Sequence, residues 1–141
     1  MRAKLESQKG ATAVEFAMVL PVLILLILGI IEFSLLLFNK QVITNAAREG
    51  ARAGIVQAPT RVTEPEIITK VNTYCFNHLI TWGGKTTPDV TSTAPCPAGA
   101  YSGADLTVTV KFHYTYLALP DFVSSLIGGT ELTAESVMKC E

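Results

Sequence analysis

Few side chains in this sequence are placed to do chemistry. Three cysteines, Cys75, Cys96 and Cys140, all follow a long apolar run and none precedes it. That distribution suits an extracytoplasmic domain with one disulfide and one thiol left over. Cys75 with Cys96 is the favoured pair, closing a loop of about 20 residues worth roughly 3 kcal/mol. Cys96 with Cys140 is an alternative, since three pairings exist for a single bond. Cys75, His78, Cys96 and His113 could also be read as metal ligands, because positions i and i+3 share a helix face. They lack the tight paired spacing of a zinc motif, so no metal is expected. The chain has two histidines and no nucleophile elbow, phosphate loop or H-E-x-x-H. The expectation is a protein that is not an enzyme and takes no cofactor.

Two carboxylates stand in a more unusual setting. Residues 16–38 are 23 positions with one ionisable side chain, Glu32, and Glu15 immediately precedes them. Charge among apolar helices is costly unless it is paired. Thr12 and Glu15 have the T-x-x-E spacing of a capping box, a purely local role. Glu32 lies at the outer interface if a span covers 11–31, and inside the bilayer if it covers 16–38. The interface is favoured, with an ion pair between subunits as the sharper possibility.

The elements that must position these groups follow from composition. The chain has 141 residues, 49% hydrophobic and 16% charged, against roughly 25% charged in soluble domains. That is room for an anchor and one small domain. About 20 apolar residues cross a bilayer core of roughly 30 Å, so the run is long enough to span. It is too long for a secretory signal peptide, and no A-x-A pattern closes it, so the anchor should be retained. A net charge of -1 gives no footprint for nucleic acid. Three basic residues flank the run on each side (Arg2, Lys4, Lys9; Lys40, Arg48, Arg52), so the positive-inside count is tied. Cysteine placement and the short polar N-terminus favour a cytoplasmic N-terminus.

Beyond the run the sequence stays helix-forming to residue 57, which predicts a membrane and stalk helix over 11–57, about 70 Å long. Ala46, Gly50 and Gly54 recur every four residues and form a small-residue stripe. Two occupants suit it: the C-terminal domain folding back, or neighbouring subunits. Thr63 and Glu66 make a capping box with Pro65 in the first turn, predicting a helix from near Glu64. Ile67, Ile68, Val71, Cys75 and Leu79 supply its apolar face, and Gly83 with Gly84 should end it. Residues 85–103 read as loop with a short strand around Val90. Strict alternation over 106–115 predicts a strand, and residues 132–140 a second one. The segment 117–127 reads as loop with a short helix. The fold class is α+β: residues 1–10 a leader, 11–57 the long helix, and 58–141 a domain of one helix on a short antiparallel sheet.

The junction Lys9-Gly10-Ala11-Thr12-Ala13-Val14-Glu15-Phe16 resembles a type IV prepilin. Gly10-Ala-Thr-Ala-Val-Glu-Phe-Ala-Met-Val-Leu-Pro21, then Gly29-Ile-Ile-Glu-Phe33, then Asn45-Ala-Ala-Arg-Glu-Gly-Ala-Arg-Ala53 narrow the resemblance to the TadE-like family. These are minor pilins, or pseudopilins, of the bacterial tight-adherence (Tad, Flp) pilus. The resemblance covers residues 10–54, about a third of the chain. It implies a cut by prepilin peptidase between Gly10 and Ala11, with Glu15 as the assembly acid one turn into the mature helix. Its implied partners are that peptidase, other Tad pilins, assembly-platform membrane proteins and the lipid bilayer of the inner membrane. Adherence and biofilm formation lie downstream. Physical chemistry agrees with each role: glycine fits an extended backbone into a protease cleft, and an early acid complements the positive helix end. The free amine of a neighbour's first residue would pair with Glu15. Pro21 sits where the pattern has a proline and is expected to bend the helix. Other readings are a minor pseudopilin of a secretion system and a membrane-tethered adhesin or binding module outside any filament.

Overall fold

The structure, a computed structural model, describes residues 2–56, 62–81, 87–92, 96, 103–120, 125 and 128–140, with side chains from residue 10 onward. Helix α1 (Arg2–Ile55) is continuous for 54 residues, with Pro21 inside it. At 1.5 Å per residue it is about 80 Å long. It has two environments. Up to Ile31 its apolar side chains are bare, as at Val22 and Leu26, apart from the half-buried Leu28. From Glu32 onward one face is buried, through Asn39, Ile43, Ala46, Ala47, Gly50, Ala51 and Gly54. Steps of three, four and seven residues keep these positions on one helix face.

Helix α2 (Glu64–His78) begins as the capping box demands. Thr63 is the N-cap, its backbone N–H donates to Glu66 Oε2 at 2.7 Å, and its hydroxyl donates to the same oxygen at 3.0 Å. Those bonds hold the exposed Glu66 carboxyl below the usual carboxylate range. Ile67, Val71 and Cys75, four apart, form its buried face. The helix ends at His78, earlier than the expected glycine pair; Gly83 and Gly84 lie outside the described residues. The reason is a competing partner. Asn39 Nδ2 donates to the Ile80 carbonyl at 2.8 Å, and the Ile80 N–H donates to Asn39 Oδ1 at 2.9 Å. A fully buried amide on α1 thus satisfies both backbone groups of an extended residue, which secures the chain as it leaves α2.

Three strands, β1 (Asp89–Ser92), β2 (Asp105–Tyr114) and β3 (Thr130–Lys139), form an antiparallel sheet in the order β1-β2-β3. Val90 pairs with Val110, Leu106 with Met138 and Tyr114 with Thr130. Alternation sends Leu106, Val108, Val110, Phe112 and Tyr114 inward from β2, and Leu132, Ala134 and Ser136 from β3. This face meets Ile43, Ala46, Ala47 and Ala51 of α1 and Ile67, Val71 and Cys75 of α2 in one core. The sequence predicts one helix on the sheet, hung from a stalk. In the structure the upper half of α1 is itself part of the helical layer, so stalk and domain share a core.

The disulfide joins Cys96 to Cys140, 44 residues apart with Cα atoms at 5.7 Å. This corrects the expected Cys75–Cys96 pair. Cys75 belongs to the inward series of α2 and is fully buried as a free thiol. Cys140 instead follows β3 at its far end, where its N–H donates to the Ala104 carbonyl at 2.9 Å. Closing the longer loop is worth roughly 4 kcal/mol by chain entropy.

Candidate functional site

Tyr114 is the last residue of β2 and Glu32 the first buried residue of α1. The Tyr114 hydroxyl donates to Glu32 Oε1 at 2.5 Å. Past Tyr114 the chain leaves the sheet and bends, and three successive amides turn toward the same carboxylate. Leu117 N–H is shared between Oε1 at 3.1 Å and Oε2 at 3.0 Å, while Ala118 and Leu119 reach Oε2 at 2.6 and 3.2 Å. Consecutive N–H groups aimed into one concavity make an anion nest. Glu32 is only 3% exposed, so its charge needs these four donors to offset lost hydration.

The surroundings stiffen the clamp. The Tyr116 ring packs edge-on against Tyr114, centroids 5.9 Å apart, and its hydroxyl lies 2.9 Å from Thr130 Oγ1 at the start of β3. Burial, followed by the bond to Glu32, pushes the Tyr114 phenol well above its ordinary range. The hydroxyl therefore stays a donor. Tyr114 and the amides of Leu117, Ala118 and Leu119 thus bond the Glu32 carboxylate from within the same chain. Its chemistry here is that of a latch between the bare helix and the domain.

Higher on α1 the small-residue stripe closes the same seam. Ala46 is fully buried. A Cβ built on Gly50 would lie 2.5 Å from Val71 Cγ2, and one on Gly54 would collide with the Leu106 and Ile67 side chains. Of the two occupants considered, the stripe is filled by the C-terminal domain. Lys40 adds a bond from its ammonium to the Thr133 carbonyl on β3. Asn39, Lys40, Tyr114 and the 117–119 amides are the functional groups that the sequence reading passed over. One signal was available: Asn39 is seven residues after Glu32 and seven before Ala46, so it shares their face.

The lower end of α1 is exposed throughout. Gly10 and Ala11 lie in unbroken helix, and nothing stands within 4 Å of a Cβ placed on Gly10. Thr12 and Glu15 are exposed and mid-helix, so their spacing does not cap a helix start. Glu15 is 17 residues before Glu32, about 25 Å along the axis. The two carboxylates thus mark opposite ends of the bare apolar segment. Among the described residues no group of three His, Cys, Asp or Glu could hold a metal ion. Of the four ligands considered, Cys96 is already in the disulfide.

The bare segment lies within a helix, Gly10–Ile55, long and apolar enough to cross a membrane. Residues 10–52 match the family model described as TadE-like protein. The chain carries a TadE-like segment. That segment takes in Gly10, Ala11, Glu15, Pro21, Glu32, Asn39, Ala46 and Gly50, and stops short of Gly54 and the sheet. No curated protein and no solved structure matches the chain. The TadE-like match associates the chain with Tad pilus systems and agrees with a membrane protein of one span.

Proposed function

We propose that the chain is a minor pilin, or pseudopilin, of a Tad (Flp) pilus, acting in assembly rather than turnover. The observation that carries this reading is the extent of the TadE-like match. It begins at Gly10 and runs through the bare apolar helix into the seam under the domain. The chain is held in the bacterial inner membrane by residues 11–31, whose 21 positions extend about 32 Å, close to a hydrocarbon core. The Cys96–Cys140 disulfide supports an oxidising compartment for the domain, hence a cytoplasmic N-terminus.

Prepilin peptidase cuts between Gly10 and Ala11, and the new amine of one subunit pairs with Glu15 of another inside the helix bundle. Such a pair has value only where both charges leave water together, so it sets the register of assembly. Partners are the peptidase, other Tad pilins and membrane proteins of the assembly platform, with adherence and biofilm formation as the outcome. Paired variants in the native host test this. Gly10→Ala slows cutting, whereas Glu15→Ala is cut but fails to enter filaments. Normal assembly of Glu15→Ala would overturn the charge-pairing role.

A further inference from the structure

The Glu32 clamp fixes more than the angle of the domain. It brings residues 116–119 alongside the last turn of the bare helix, where Gly29, Phe33 and Leu36 of α1 face Tyr116 and Leu119 across a groove of about 240 Å³. Glu32 forms the back of this groove with its oxygens already bonded, so the open part is apolar. The outward side of α1 stays apolar past this level: Phe33 is 62% exposed and Leu37 51%.

Two registers of the span are physically reasonable, 11–31 and a later one ending near Phe38. About 20 residues fill the hydrocarbon core in either case. The register 11–31 places Gly29 about 3 Å inside and Phe33 about 3 Å outside the edge of the hydrocarbon, so the groove straddles that edge. A register ending at Phe38 would sink Gly29 about 13 Å deep and with it the charged Glu32. Tyr116 has the form of a residue at that boundary, with its ring toward the groove and its hydroxyl bonded to Thr130.

We propose that residues 116–120 seat the domain in the interfacial layer of the bilayer, with lipid acyl chain filling the groove between Leu119 and α1. The membrane is then a binding surface for the domain as well as a solvent for its anchor, and the clamp sets the depth. This rests on the reading of the bare helix as a span. Continuity with that helix argues for lipid as the occupant, because the groove opens beside residues that lipid must already cover.

The test uses the full chain in phosphatidylcholine vesicles at low protein density. Trp82, the single tryptophan, is replaced by Phe. One reporter is then introduced at a time: Leu119→Trp, Leu26→Trp in the span, or Val137→Trp on the exposed face of β3. Val137 is seven residues up β3 from Thr130, about 23 Å farther from the groove. Lipids brominated near the headgroup should cut Leu119→Trp emission about two-fold, with a smaller effect from bromine near the chain end and almost none on Val137→Trp. Tyr116→Trp, on the same groove, should repeat the result, with an intact Cys96–Cys140 disulfide reporting folding of each variant. Strong quenching of Leu26→Trp with none at Leu119→Trp or Tyr116→Trp would overturn the seating while leaving the span in place. Leu26→Trp unquenched would remove the span and the seating together. Leu119→Trp quenching that disappears as protein density rises would assign the groove to a second copy and overturn lipid as its occupant.

Discussion

The Tyr114 hydroxyl and the Glu32 carboxylate, 82 residues apart in sequence, meet at 2.5 Å where the bare part of α1 ends. This bond and the three amides of 117–119 join a helix and a sheet at the point where the bare apolar helix meets the domain. A flexible hinge there would let the domain tilt freely.

Removing one partner leaves the others buried without a mate, so the clamp should be sensitive to small changes. Tyr114→Phe keeps the ring and deletes one donor to a charged acceptor, an expected loss of about 1 to 3 kcal/mol. Glu32→Ala leaves a buried hydroxyl and three amides unsatisfied and should cost more than Tyr114→Phe. Chemical denaturation in detergent micelles measures both. Amide exchange at Leu117, Ala118 and Leu119 should accelerate in Glu32→Ala, while exchange in the middle of β2 stays slow. Equal protection of the three amides in wild type and Glu32→Ala would show that the carboxylate does not hold the bend.

The glycines of α1 should divide by height. Gly50→Val and Gly54→Val drive methyl groups into Val71, Leu106 and Ile67, so each should destabilise by about 1 to 3 kcal/mol through overpacking. Gly29 has nothing within 4 Å of a built Cβ. Gly29→Ala should therefore fold normally and gain up to about 1 kcal/mol of helix propensity. Thermal melts monitored by circular dichroism separate the two classes.

Much of this fold was legible in the sequence because local rules and tertiary packing agree. The capping box at Thr63 and Glu66 starts α2, and the alternation after Leu106 is a strand with its apolar face inward. The every-fourth small residues at Ala46, Gly50 and Gly54 mark a close-packed face. What was not legible depends on contacts between distant segments. Spacing alone cannot choose among three cysteine pairings, and the choice was settled by Cys75 facing the core while Cys140 closes the far end of the sheet. Glu32 reads in sequence as a carboxylate at the outer interface, and its clamp was not legible because its donors, the Tyr114 hydroxyl and the amides of a bend without a side-chain signature, lie 82 or more residues away. Asn39 looked like ordinary stalk, since its partner is the backbone of Ile80, 41 residues away.

Stability should fall at alkaline pH. Burial pushes the Cys75 thiol up from 9.0 to about 11, and Tyr114 is raised above its ordinary value of 10.0. Below about pH 8 both groups are protonated in folded and unfolded chains, and the contribution is complete. Above it the unfolded chain ionises first, unfolding releases protons, and stability declines as pH rises toward the folded-state values. Denaturation midpoints taken across pH 8 to 11 should drop, and Cys75→Ala should flatten the early part of that drop, between about pH 9 and 10. A thiol that reacts with alkylating reagent at neutral pH without unfolding would contradict the buried placement of Cys75.

The pilin reading requires that the long apolar helix begin at Ala11 in the mature protein. Intact-mass and N-terminal peptide spectrometry of the protein from its native membrane measures this directly, with a strain lacking the prepilin peptidase as control. The predicted result is a chain beginning at Ala11 in the native strain and a chain retaining Gly10 and the residues before it in the control. Recovery of the uncut junction from the native membrane, identical in both strains, would contradict the pilin reading and leave a tethered domain outside any filament.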